Sequence, residues 1–284
     1  MDGILVVDKP AGMTSHDVVA VVRRRLGERR VGHAGTLDPD ATGVLVLGVG
    51  RATRLLRFIE DGEKEYVADV VLGVETATQD ASGDVLAEAD ASAVTRADVE
   101  RAAAGFVGAI DQLPPMMSAV KVGGERLYRK ARRGEEIERE PRRVTVHAFE
   151  LEDFEPGSRA RARMRVRCSR GTYVRTLAHD LGRALGVGGH VATLRRTGVA
   201  AFREEGALAL DAVDAGSLRP LIDAVAGYPR RDVDADGARA VAHGKATPAF
   251  GVVGEYAVVG PRGLVAMAED HGTVSRPVVV VSEP

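Results

Sequence analysis

One cysteine, Cys168, stands in 284 residues. A disulfide cannot close within such a chain and a zinc site of the multi-cysteine kind cannot form, while a lone thiol fits a reducing compartment. No apolar run approaches the ~20 residues that a bilayer crossing needs. The opening MDGILVVDKPAG carries acidic residues and an early turn where a secretory signal needs a basic start and a longer apolar stretch. The expectation is a cytoplasmic protein with no membrane contact. Also missing are a His/Cys/Asp/Glu cluster at metal-ligand spacing and a phosphate-cradling P-loop, so neither a metal nor a cofactor is expected. There is no internal repeat and no low-complexity tail. Lysine is scarce beside arginine, which speaks of codon usage and not of chemistry.

What is present is enough apolar material, 45% of the chain, for one large domain or a large and a small one. The formal net charge is −2 and favours no class of partner. Its distribution is far less neutral. Seven arginines and no acid fall between Arg159 and Arg175, whereas residues 75–100 hold seven acids against Arg96 alone. RRRLGERR (23–30) and the segment 121–143, with nine basic and five acidic side chains, add further basic clusters. Such clusters are the footprint of a nucleic-acid binder, unless acids in space balance them.

Periodicity mixes strands and helices along the chain. ILVVDKP (4–10) reads as a strand, Ser15 as the cap of a helix over 16–26, VLVLGVG (44–50) as a buried strand, and 52–60 as a short helix. YVADVVLG (66–73) reads as a strand, and Thr95 with Asp98 forms a capping box opening a helix to about Phe106. RLYRKARRG (126–134) reads as helical and 144–154 as a strand. RARARMRVRC (159–168) alternates arginine with small or apolar residues, the period of a half-buried strand. Like charges stacked on one face gain nothing by themselves, so either acids lie across the sheet or a polyanion lies over it. A helix follows over 171–186, with Arg175 in its first turn and pointing toward a neighbouring loop. Beyond Tyr228-Pro229 short glycine-separated strands predict a small β-barrel, giving domains at 1–227 and 228–284.

The segment GHAGTLDPDATG (32–43) is too irregular for helix or strand and reads as a functional loop. Gly32, Gly35 and Gly43 permit left-handed backbone or close approach, and Pro39 holds Asp38 extended. A D-P-D can equally be a simple Asx-type turn.

The ordered set DKPAGMTSHDVV (8–19), GHAGTLDPDATGVL (32–45), KEYVADVVLG (64–73), TATQDASG (76–83), QLPPMMSAVKVGGERLYRKARRG (112–134), CSRGTYVRTLAHDLGRALG (168–186) and LRRT (194–197) resembles the TruB-type tRNA pseudouridine synthases. The resemblance spans most of residues 4–202. It implies a mixed α/β (α+β) fold, a central mixed and largely antiparallel sheet flanked by helices, with a small PUA-like β-barrel at the C-terminus. It also implies isomerisation of uridine 55 in the T-loop of tRNA by a standalone enzyme, with no obligatory protein partner. Carried over by position, Asp38 is similar to the catalytic aspartate, Tyr66 to the active-site tyrosine and Arg175 to the arginine that pairs with the aspartate. Leu194 resembles the residue lining the base pocket, His33 the one entering the RNA loop, and Lys9 with Pro10 the motif beside the catalytic loop. Lys64, Arg163 and Arg165 join these as candidate RNA contacts. Asp40 stands where a bulky apolar residue is usual, and Ala200 where glycine is common.

That chemistry suits these residue types. The reaction breaks the N1–C1′ bond, turns the uracil and joins C5 to C1′, with nothing added or lost. A carboxylate can attack, stabilise positive charge or take a sugar proton, an arginine keeps it ionised, and a tyrosine can stack on uracil and take the C5 proton. The stacked base must first be flipped out. Two other readings remain at this level: a noncatalytic tRNA-binding or folding protein on the same scaffold, and a glycoside hydrolase using Asp38 and Asp40.

Overall fold

The computed structural model describes residues 1–118, 121–122, 125–126, 133 and 137–282. The helix expected over 126–134 falls largely outside the described residues. Two compact units result, one formed by residues 1–62 and 198–284 and the other by 63–197.

In the first unit, β1 (Gly3–Lys9) leads to α1 (Ser15–Leu26), β2 (Val31–Ala34), β3 (Thr42–Val49) and, after a 3-10 turn, α2 (Leu56–Glu60). β1 and β2 run antiparallel to β3, with Val7 opposite Leu45 and His33 opposite Leu47. α1 forms because Val18, Val19, Val22 and Leu26 repeat at helical spacing and are buried together. Its cap is Thr14, not the expected Ser15: Thr14 and Asp17 close a reciprocal capping box. Ser15 is thereby freed for the role described below. Gly27, in left-handed conformation, ends the helix.

The second unit carries β4 (Lys64–Leu72), a ribbon of β5 (Val74–Thr76) and β6 (Val85–Glu88), α3 (Arg96–Ala104), β7 (Gly108–Gln112), and the short pair β8 (Lys121–Val122) and β9 (Glu125–Arg126). β10 (Arg142–Glu155), β11 (Arg161–Cys168), α4 (Val174–Ala184) and β12 (Gly189–Val199) follow. Its sheet runs β12-β4-β11-β10-β7, and the β4–β11, β11–β10 and β10–β7 pairings are antiparallel. β4 alternates strictly, with Lys64, Tyr66, Ala68, Val70 and Leu72 buried, so one face is core and the other solvent. Burial of Cys168 pushes its thiol up to about 11, as befits a packing residue.

β12 carries the chain back into the first unit. There β13 (Phe202–Arg203) pairs with it, and β14 (Leu208–Ala209) lies parallel to β1, which makes that sheet mixed. Ala200 is held at φ 51°, the left-handed region where alanine is strained and glycine is not. The C-terminal strands β15 (Arg230–Asp232), β16 (Thr247–Pro248), β17 (Glu255–Gly260), β18 (Gly263–His271) and β19 (Val274–Val280) form a five-stranded sheet in the order β15-β17-β18-β19-β16. This is a half-barrel with β15 and β16 at its edges, consistent with a PUA-like domain; no pairing between those two strands appears among the described residues. One face packs on α5 (Ala235–Ala242) through Tyr256, Val258 and Val265. The other places Ala257, Val259, Leu264, Met267 and Val281 in one core with Ile4, Val6, Val44, Val46 and Phe58. No helix of the described residues is long and apolar enough to cross a membrane.

Candidate active site

In the first unit the loop between β2 and β3 presents a half-buried Asp38 and an exposed Asp40. The backbone on both sides of Asp38 is fixed from α1 and β1. The Ser15 hydroxyl accepts from the Leu37 N–H at 2.9 Å and donates to the Leu37 carbonyl at 3.1 Å. The Pro39 carbonyl accepts from the Gly12 N–H at 3.0 Å and from the Lys9 ammonium at 2.8 Å. Gly35 and Gly43 take left-handed φ of 82° and 99°, as the loop reading requires. Gly32 serves close approach instead, since a Cβ there would meet Leu56 at 2.9 Å.

Lys9 is wholly buried, and its ammonium also donates to the carbonyls of Pro10 (2.8 Å) and Met13 (2.6 Å). It therefore ties two turns to the Asp38 loop. Lys9→Met leaves these buried carbonyls without the ammonium and is expected to cost about 2–4 kcal/mol of stability, read from the denaturant midpoint. His33 is half-buried on β2, its ring edge-on to that of His16 with centroids 5.3 Å apart.

In the second unit, Arg175 occupies the first turn of α4 and is buried. Its guanidinium does reach a neighbouring loop: it donates to the Thr78 carbonyl at 2.9 Å and lies 3.4 Å from the Asp80 carboxylate. It also donates to the Met117 carbonyl at 2.8 Å. Sequence reasoning passed over the residues that hold this turn. The Gln112 side chain accepts from the Tyr173 N–H at 2.7 Å and donates to the Tyr173 carbonyl at 3.0 Å, clamping the helix start. Gln79, left-handed at φ 63°, accepts from the Thr176 hydroxyl. Asp80 accepts from Thr78 and Ser82 and so shapes the loop that meets Arg175. The signal lay in TATQDASG and QLPP, motifs noted for their resemblance without asking what their polar side chains hold.

Tyr66 and Lys64 are both buried on β4, facing Val166 and Cys168 across the register. Lys64 thus stands on the core side of the sheet. Leu194 is half-buried on β12. Arg196, also unforeseen, is 1% exposed, among the largest fully buried side chains.

The arginine face of β11 meets the first of the two alternatives that its stacked charges left open. Arg163 makes a two-pronged pair with Asp69 at 2.8 and 3.2 Å, Arg165 meets Glu152 at 2.6 Å, and Arg167 meets Glu63 at 3.2 Å. Arg159, just before the strand, meets Glu88 at 2.7 Å. Acids therefore lie across the sheet: Asp69 on β4, Glu63 just before it and Glu152 on β10, with Glu88 of β6 beside Arg159. The hydrogen bond from Arg163 holds the Asp69 carboxyl below its ordinary range. A lowered folded pKa gives stability present above the unfolded value near 4 and lost as pH falls through the folded one. Arg163→Gln with Arg165→Gln is expected to lower the melting temperature at pH 7, and the difference from wild type should shrink as the carboxylates protonate below pH 4.

The TruB family pseudouridylate synthase N-terminal domain matches residues 23–174, the tRNA pseudouridylate synthase B C-terminal domain residues 175–221, and the tRNA pseudouridine synthase II C-terminal domain residues 228–282. A tRNA pseudouridine synthase B of Thermobifida fusca is 49% identical over 98% of each chain. Another, of Symbiobacterium thermophilum, is 54% identical over 87% of this chain and 83% of its own. Among solved structures, a chain of a Cbf5-Nop10-Gar1 complex superposes with a TM-score of 0.76 at 28% identity, covering 99% of this chain and 85% of that one.

Proposed function

The chain belongs to the TruB family of pseudouridine synthases, and on that premise we propose that it isomerises uridine to pseudouridine at position 55 in the T-loop of tRNA. The observation that carries the reading is end-to-end similarity to relatives named tRNA pseudouridine synthase B; the position follows from the motif resemblance. The fixed backbone around Asp38 supports it, since a carboxylate that must meet one sugar carbon gains from a pre-set position. In the proposed mechanism Asp38 serves C1′ while the N1–C1′ bond breaks. The freed uracil turns, C5 bonds to C1′, and the C5 proton is removed as N1 regains one. Tyr66 stacks on the uracil and takes part in that proton removal, Leu194 lines the base pocket, and His33 fills the space the flipped base leaves. Arg175 keeps the aspartate ionised. The overall change needs no electron, group donor or metal.

Residues 1–227 are proposed to carry the chemistry and 228–284 to hold RNA, in the cytoplasm and without an obligatory protein partner. Purified protein incubated with a T-arm hairpin in the presence of a chelator tests this. Pseudouridine at the single target position is the expected result. Binding without conversion would sink the catalytic reading, and conversion only after adding another protein would sink the standalone one.

A further inference from the structure

Two groups of arginines mark this chain, and the structure treats them in opposite ways. Those of β11 face carboxylates on neighbouring strands. Between Arg23 and Arg30 stand five arginines in eight residues, at the end of α1 and the approach to β2, and all five are exposed. Arg23 turns back to donate to the Val31 carbonyl at 2.8 Å. Glu28, the one acid in the stretch, accepts the backbone N–H of Arg30 at 2.9 Å and lies 3.6 Å from the amine of Met1. Among the described residues no carboxylate lies within ion-pair distance of the guanidinium groups of Arg24, Arg25, Arg29 and Arg30, although Glu28 is close enough to attract Arg30 electrostatically.

Basic residues in a last helical turn gain from the helix dipole. That accounts for Arg24 and Arg25 but not for Arg29 and Arg30, which follow the turn at Gly27. From Arg30 to His33 is three residues, about 10 Å of extended chain. The corner lies at the opposite end of β2 from the loop that carries Asp38, in the same unit: Val31 pairs with Val49 near the start of β1, whereas Lys9 and Ser15, at the far ends of β1 and α1, hold that loop. A guanidinium without a carboxylate can take up a phosphate directly, with counterion release favouring the association, whereas a paired one must first give up its partner.

Resting on the reading of the substrate as tRNA, we propose that Arg24, Arg25, Arg29 and Arg30 form a surface that seats phosphates of the RNA arm about one strand length from the target uridine, a role that β11 does not play. The test is binding of a T-arm hairpin across a salt series, with pseudouridine formation followed on the same RNA. Arg24→Gln with Arg25→Gln, and Arg29→Gln with Arg30→Gln, should each lose about 0.7–0.9 of salt slope per phosphate contact removed. Their affinity at low salt should fall about tenfold or more. Arg163→Gln with Arg165→Gln should keep the wild-type slope. Arg29→Lys with Arg30→Lys keeps charge and should keep the slope, which covers the case of a glutamine variant that folds poorly. Wild-type slopes in the corner variants, or an equal loss from the β11 variant, would overturn the proposal. A wild type that binds with steep salt dependence yet forms no pseudouridine would overturn the functional reading and leave this surface in place.

Discussion

Replacing Asp38 by asparagine is expected to abolish pseudouridine formation while tRNA affinity stays within about tenfold of wild type. The amide keeps the shape of the side chain and loses its charge and basicity. The loop around it should not move, because its anchors are backbone groups: Leu37 on Ser15, and Pro39 on Gly12 and Lys9. Asp40→Asn is the companion measurement. Asp40 is exposed, and its replacement should leave turnover close to wild type. Wild-type turnover by Asp38→Asn, or a folded but dead Asp40→Asn, would overturn the assignment and reopen the paired-carboxylate reading.

Arg175→Lys is expected to lower kcat on the order of 10²–10³-fold. The guanidinium donates from two nitrogens to carbonyls on two loops, those of Thr78 and Met117, and also approaches Asp80. An ammonium is a point donor and cannot span both. A thermal melt of the variant separates a loosened helix start from lost chemistry, and Gln112→Ala gives the reference for loosening alone. If Arg175 and Asp38 serve the same reacting atoms, the double variant should cost much less than the two single losses combined. Full additivity in that cycle would remove Arg175 from the proposed mechanism.

The Asp38 loop was legible only in part. Gly35 and Gly43 adopt the left-handed backbone that glycine permits, but residues 32–34 and 42–43, read as too irregular for a strand, belong to β2 and β3 because pairing with neighbouring strands fixes them. Strict alternation likewise made β11 legible as a strand. What it could not reveal was the company those arginines keep, since Asp69, Glu152 and Glu63 reach them through strand register, which no local pattern encodes. The same limit applies to Lys9. Its place beside the Asp38 loop was implied by the resemblance, but the three carbonyls that the fold wraps around its ammonium are not encoded in any local pattern. The cap of α1 was misplaced by one residue for a local reason: T-S-H-D offers two hydroxyls, and only Thr14 stands three positions before an acid.

The shared core of the chain's two ends has a consequence for its biosynthesis. Ile4, Val6 and Val44 leave the ribosome first, yet the side chains that cover them, from Ala257 to Val281, leave last. Residues 63–197 are continuous and need wait for nothing downstream. At roughly 5–20 residues per second, the interval between Gly62 and Val281 is about 10–45 s. For that time the N-terminal strands carry an apolar face without its cover. A nascent chain stalled after residue 197 should therefore be protease-resistant over 63–112 and 142–197 and cleavable before residue 62, the reverse of the order in which the two stretches were made.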